Sequence, residues 1–233
     1  MKNFAGEELY WCRLKNEDGT FFLSDDDVIH ITRVMRHQNG DFIYVTDGDG
    51  KIHKVLICDV NRDKIVVEKI EEYKIPNRLQ NFIIGIPRLK GNDKIEFLLE
   101  KLTEIGFSRF LFFESDYCVG KGFKTERYEK VIRAASKQSF TPFSPELIIT
   151  KNFKDIFNRG ADVIGFDLEA EVRFTSYIPN MEAEQILVCG PEGGLSKREL
   201  SLFKNENLYR LTKNRLKSET AILYSSILIS SQI

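Results

Sequence analysis

The chain is poor in the residues that fasten metals and crosslinks. Four cysteines, Cys12, Cys58, Cys118 and Cys189, lie dozens of residues apart, and there are only three histidines, His30, His37 and His53. No zinc-type ligand spacing exists, no metal site is expected, and the thiols read as reduced and buried or incidental. A large charge of either sign is also missing: the formal net charge is -1 over 233 residues, which gives no electrostatic case for nucleic-acid binding. No apolar run approaches the length of a membrane span, and the start MKNFAGEELYWC lacks the charged head and unbroken apolar stretch of a signal peptide. A cytoplasmic protein without a membrane partner is expected. Neither G-x-G-x-x-G nor G-x-x-x-x-G-K-[ST] is present, which removes the dinucleotide and P-loop fingerprints. There is no internal repeat and no low-complexity stretch.

What is present is a hydrophobic fraction of 42%, ordinary for a globular chain that builds a core. Charge is unevenly spread: residues 1–73 carry 10 Lys and Arg against 15 Asp and Glu, residues 74–233 carry 24 against 20. Basic residues are densest at Lys121, Lys124, Arg127, Lys130, Arg133 and Lys137. At about 100° per residue the last four share roughly a third of a helix, opposite Tyr128, Val131, Ile132 and Ala135. This face is either simply solvated or a phosphate contact, and the pattern favours neither.

Two textures divide the chain. Up to about Ile70 run short β-prone segments, LYWCRL, FIYVTD, KIHKVLICDV and KIVVEKI, with GDG at 48–50 as a hairpin turn, and a small barrel is expected. One helix should interrupt it, capped by Ser24, with Val28, Ile31, Val34 and Met35 at helical spacing. EEYKIPNRLQN, 71–81, reads as a linker, giving domains of 1–72 and 73–233. Beyond it strand and helix alternate. FIIGIP precedes DKIEFLLEKLTEIG, whose Ile95, Leu98, Leu99, Leu102 and Ile105 share a face, with an Asp93-x-x-Glu96 capping box and Gly106 as terminator. RFLFF, a helix near 125–138, strands near DVIGFD, ILVCG and LYRL, and helices starting near Ser196 and Lys217 complete an α/β pattern, implying a parallel sheet covered on both faces.

Ligands of such sheets bind beyond the carboxyl ends of the strands. LVCGPEGGLSKREL, 187–200, places a Gly-Pro-Glu-Gly-Gly bend at such an end. Pro191 stiffens it, while Gly190, Gly193 and Gly194 permit positive φ and let a ligand lie against bare backbone. A plain strand-to-helix turn capped by Ser196, with Glu199 three residues on, accounts for the composition equally well.

Read together with LTKNRLKSETA at 211–221, RLKGNDKIEFLLEKLTEIGF at 88–107, KQSFTPFSPEL at 137–147 and HITRVMRHQNGD at 30–41, the sequence resembles the RsmE-type RNA methyltransferases over almost its whole length. The resemblance implies a PUA-like N-terminal barrel and a SPOUT-superfamily domain with a C-terminal trefoil knot, acting as a homodimer. It also implies S-adenosylmethionine as methyl donor and N3 of a uridine in 16S ribosomal RNA as acceptor, free or in the assembled subunit. The cofactor site it implies comprises the end of DVIGFDLE, the Gly-rich bend and LTKNRLKSETA: Leu168, Gly190, Glu192, Gly193, Gly194, Leu211, Leu216 and Ser218. AILYSSILISSQI, apolar on most sides, gives an independent hint of a second surface to cover.

Methyl transfer to N3 needs the nucleophile aligned and its proton removed, with the resulting charge spread onto neighbouring carbonyl oxygens. The second domain has no histidine, so Glu219 is the candidate base or orienting group and Lys217 the candidate charge stabiliser; a plain helix-start carboxylate also explains Glu219. N3 is hidden in any paired base, so an RNA grip is required. The resemblance assigns it to Arg33 and Arg36 on the barrel and to Arg88, Lys90, Arg133 and Gln138 on the catalytic domain. Tyr117, Thr141 and Asn214 stand where the family tends to show arginine, Lys217 replaces another, and Thr212 replaces a glycine. The alternative is an RNA-binding or assembly protein that keeps the cofactor fold with little or no catalysis.

Overall fold

The structure, a computed structural model, describes residue 4 and residues 7–14, 20–23, 25–61 and 64–233. The chain forms two compact units, residues 1–77 with 133–144, and residues 78–132 with 145–233.

The first unit is a closed barrel of β1 (Leu9–Leu14), β2 (Thr20–Leu23), β3 (Phe42–Thr46), β4 (Lys51–Val60) and β5 (Ile65–Lys74), in the order β1-β2-β5-β4-β3. Parallel pairing of β1 with β3, Leu9 opposite Tyr44, closes it and leaves no free edge. Alternating residues fill the interior: Tyr10 and Cys12, Ile43 and Val45, Val55 and Ile57, Ile65 and Val67. Gly48 and Gly50, at φ +89° and +86°, turn the β3–β4 hairpin where GDG was read as a turn. The strand β2 had no counterpart in the sequence reading.

The expected helix starts as α1 (Asp25–Ile29) but widens into a π-helical turn at His30–Val34. Val28 and Ile31 are buried, whereas Val34 is 61% exposed and Met35 is also exposed. The wider turn puts more residues into each revolution, so the 3.6-residue spacing no longer carries positions 34 and 35 inward. The Ser24 cap lies outside the described residues.

The second unit is a six-stranded sheet in the order β11-β9-β10-β6-β7-β8, parallel at every pairing. Its strands are β6 (Phe82–Pro87), β7 (Arg109–Phe113), β8 (Glu146–Thr150), β9 (Asp162–Phe166), β10 (Gln185–Val188) and β11 (Leu208–Tyr209). The helices are α2 (Asn92–Ile105), α3 (Thr125–Ser139), α4 (Lys197–Leu200) and α5 (Ser218–Ser230). The central strands are apolar on both faces. Phe82, Ile84 and Ile86 of β6 join Phe110 and Phe112 of β7 against Leu98, Leu102, Ile222 and Ile229 of the helices. Ile83, Leu111, Phe113, Ile186 and Val188 point the other way, onto Phe153, Ile156 and Phe203.

Two local expectations need correction. The Asp93-x-x-Glu96 capping box does not form: α2 is entered through Gly91 at φ +99° with no side-chain cap, and Glu96 pairs with Arg127 at 2.6 Å. The glycine conformation aims the chain where a capping side chain would otherwise be required. The strand β8, an edge strand half-exposed on most positions, is not among the strands expected from the sequence. Gly106 does end α2 in the left-handed conformation, and Ser196 with Glu199 forms a complete capping box on α4.

The basic face of α3 is largely spent internally. Arg127 pairs with Glu96, Lys137 with the buried Asp27, and Arg133 lies 5.0 Å over the Trp11 ring. All four cysteines are free, Cys12 and Cys189 buried, and burial pushes both thiols up to about 12. No helix among the described residues is long and apolar enough to cross a membrane.

Candidate functional site

Three segments meet beyond the carboxyl ends of β9 and β10: residues 166–168, the Gly-Pro-Glu-Gly-Gly bend, and residues 211–219 leading into α5. They enclose a cavity of about 700 Å³, the size of a nucleoside-scale ligand site. The bend is held tightly. Gly194 sits at φ +77° and its N–H donates to the Pro191 carbonyl at 2.8 Å. Of the three glycines only Gly194 has positive φ, which corrects the expectation for Gly190 and Gly193. Those two are glycine for space. A Cβ on Gly190 would stand 2.7 Å from the Gly194 carbonyl carbon, and one on Gly193 would stand 2.7 Å from the Tyr117 Cβ.

Neighbouring elements fix the bend from both sides. The buried Glu199 carboxylate accepts from the N–H groups of Ser196 and Asp116 at 2.8 and 2.9 Å, while the Ser196 hydroxyl donates to Asp116 at 2.5 Å. The Ser196 and Arg198 hydrogen bonds hold the Asp116 carboxyl below the usual range. On the other side, Glu192 accepts from Lys94 Nζ at 2.8 Å and from the Lys90 backbone N–H at 3.1 Å. Burial alone would raise the Glu192 carboxyl, but these donors overcome it and hold it below its ordinary value. The Ser218 hydroxyl donates to the Gly190 carbonyl at 2.6 Å, joining α5 to the bend.

Leu168, Gly190, Glu192, Gly194, Leu211, Leu216, Lys217, Ser218 and Glu219 all line the cavity. Gly193 does not; it faces Tyr117. Lys217 is exposed at the start of α5, whereas Glu219 turns inward, and its Oε2 is buried with no hydrogen-bond partner among the described residues. Lys94 was missed. It lines the same cavity from the first turn of α2 and lies 3.7 Å from Glu219 Oε2. The Glu192 hydrogen bond, aided by the Glu219 charge, raises the Lys94 ammonium above its ordinary value, so it stays protonated. Asp167 and Arg215 are further lining residues not singled out from sequence.

The expected RNA contacts are dispersed. Arg88 and Lys90 follow β6; Arg88 Nη1 donates to the Leu89 carbonyl at 2.7 Å and its Nε is buried without a partner among the described residues. Arg33 and Arg36 are exposed around the π-helical turn, Arg36 at φ +58°. Arg133 and Gln138, expected on the catalytic domain, belong to the barrel unit and are exposed there. Of the departures from the family pattern, Asn214, Thr212 and Lys217 line the cavity, Tyr117 backs the bend, and Thr141 is buried.

Comparisons with known proteins place the fold in a family. An RNA methyltransferase domain matches residues 76–230 and an RNA methyltransferase PUA domain matches residues 23–70. The chain is 28% identical to the ribosomal RNA small subunit methyltransferase E of Bacillus subtilis strain 168, over 93% of this chain and 91% of that protein. Among solved structures, a probable rRNA-methyltransferase from Porphyromonas gingivalis superposes with a TM-score of 0.84 at 26% identity, covering 97% of this chain and 98% of that one. The ribosomal RNA small subunit methyltransferase E of Neisseria gonorrhoeae, solved bound to S-adenosyl methionine, gives 0.84 at 21% identity and 97% coverage of both chains. Fold, cavity and matched domains lead to one assignment: the chain belongs to the RNA methyltransferase family.

Proposed function

We propose that this chain transfers a methyl group from S-adenosylmethionine to N3 of a uridine in 16S ribosomal RNA of the small subunit, in the cytoplasm. The observation that carries the reading is the cavity beyond β9 and β10. It combines bare glycine backbone with Glu219 Oε2, a buried acceptor that nothing among the described residues satisfies.

The residues fit the donor. Leu168, Leu211 and Leu216 offer apolar walls, and Gly194, with open space where a side chain would stand, leaves room for a flat base against the main chain. Glu192 and Ser218 hold that main chain in place. Of the three carboxylates that line the cavity, Glu192 and Glu219 face Lys94, so neither of these is an unopposed trap for a sulfonium, and Asp167 accepts from the Glu169 backbone N–H at 3.1 Å. Bound S-adenosylmethionine would supply the activated methyl group. Glu219, fixed on the first turn of α5, accepts the N3 proton. The charge left on the pyrimidine spreads onto its carbonyl oxygens, where Lys217 at the rim adds a cation. Arg88 and Lys90 after β6, with Arg33, Arg36, Arg133 and Gln138 on the barrel unit, grip the RNA backbone around an unpaired target. The trefoil threading and the homodimer belong to the same proposal; the exposed Ile227 on α5, with Leu223 and Leu228 only partly buried, supports a second covered face.

The test is incubation with radiolabelled S-adenosylmethionine and either naked small-subunit RNA or subunits from cells lacking the modification. Labelled N3-methyluridine is expected. Binding of donor and RNA without labelled nucleoside would point to the assembly-protein reading instead.

A further inference from the structure

Resting on that methyltransferase reading, we propose that Lys94 and Glu219 form a donor–acceptor pair reading the imide edge of the target pyrimidine. Glu219 Oε2 accepts from N3–H while Lys94 Nζ donates to the carbonyl oxygen beside it.

The geometry singles out this pair. Lys94 Nζ and Glu219 Oε2 lie 3.7 Å apart, within ion-pair range and too far for a hydrogen bond between them. Neither therefore saturates the other, and both residues line the cavity. Glu219 Oε2 is buried with no partner among the described residues, a costly state unless a ligand completes it. The Lys94 ammonium has three N–H donors; one is taken by Glu192 at 2.8 Å, which pins the nitrogen in place. Glu192 is itself anchored by the Lys90 backbone N–H. A fixed donor beside a fixed acceptor is complementary to N3–H beside C=O.

That complementarity has two chemical consequences. Cytosine presents an unprotonated N3 and an amino group in place of O4, so it would set a lone pair against Glu219 and, on its C4 side, a donor against Lys94. The pair thus selects uridine by leaving buried groups unmatched with the wrong base. When the N3 proton passes to Glu219, its electron pair stays on the imide and spreads to the oxygens, and the pinned Lys94 already faces that developing charge. Lys217, exposed at the rim, has no such preset position.

The first experiment reads binding without turnover. Uridine, cytidine and 3-methyluridine are titrated into the full chain, with and without S-adenosylhomocysteine, while the Lys94 side-chain signal is followed by NMR, assigned with Lys94→Arg. Uridine should shift that signal and the other two should not. Equal shifts with uridine and cytidine, or none with uridine, would overturn the pair. The second experiment compares the parent with Lys94→Met on RNA transcribed with UTP, 2-thio-UTP or 4-thio-UTP. Loss of one stabilising donor should lower kcat by about a hundredfold on ordinary RNA. The defect should shrink on the RNA whose contacted oxygen is sulfur. A Lys94→Met enzyme as fast as the parent, or a defect identical on all three RNAs, would also overturn it. A parent chain that yields no labelled nucleoside sinks the methyltransferase reading, and the imide pair is then judged by the nucleoside titration.

Discussion

The Ser218 hydroxyl donates to the Gly190 carbonyl across 2.6 Å, so the helix that presents Glu219 is tied directly to the bend that frames the cavity. Ser218 is buried, and little water reaches this bond. Ser218→Ala should cost about 1 kcal/mol of stability, seen in chemical denaturation, and weaken donor binding by several-fold in calorimetry.

Gly190→Ala should be far worse than Gly194→Ala for ligand binding. At Gly190 a methyl meets the backbone of Gly194 and Leu195 within 2.9 Å, so the bend must open. At Gly194 there is open space, and the penalty is only the left-handed conformation at φ +77°, about 1 kcal/mol. Thermal unfolding should show a modest loss for both variants, while donor affinity should vanish only for Gly190→Ala.

Glu192 gives a pH dependence. Its carboxyl titrates below its ordinary value in the folded protein, so its contribution is present above the ordinary glutamate range and lost as pH falls through the lowered value. Lys94 titrates above its ordinary value, so its contribution holds below that value and is lost only as pH rises through the raised one. The Glu192–Lys94 tie should therefore persist across neutral pH and fail first on the acid side. In Glu192→Gln the acid-side fall in melting temperature should begin at lower pH than in the parent.

In the barrel unit, the Asp27 carboxylate is buried and accepts from the Trp11 N–H at 3.1 Å and from Lys137. Asp27→Ala leaves both donors without it and should cost about 2 kcal/mol, measured by urea unfolding followed through Trp11 fluorescence.

Much of this was legible because it is local. The spacing of Ile95, Leu98, Leu99 and Leu102 marked α2, the doubly apolar FIIGIP and RFLFF marked central parallel strands, and Ser196 with Glu199 gave a capping box visible within four residues. The cavity walls Leu168, Leu211 and Leu216 came from the family resemblance, since an apolar residue after a strand looks the same whether it packs a core or a ligand. What escaped was non-local or phase-shifted. Lys94 gains its meaning from Glu192, 98 residues away, and periodicity carries no trace of that pairing. The π-helical turn at His30–Val34 breaks the period on which the placement of Val34 and Met35 depended. The short β8, exposed at Glu146 and Ile149 and buried at Thr150, alternates too weakly to stand apart from its flanking loop.

The helix α3 runs from one compact unit into the other, changing allegiance between Ile132 and Arg133. Beyond that point the helix and the chain after it pack against the barrel: Ser136 receives the Trp11 indole N–H at 3.1 Å, Phe140 stacks 4.8 Å from Phe4, and the Pro142 carbonyl accepts from Gly50. A gene fragment ending near residue 77 would thus encode a barrel stripped of the segment packed against it, and the complementary fragment would carry that segment as an orphan. Excision at the apparent linker should yield two insoluble pieces; co-expression of the halves offers the route to recovering either.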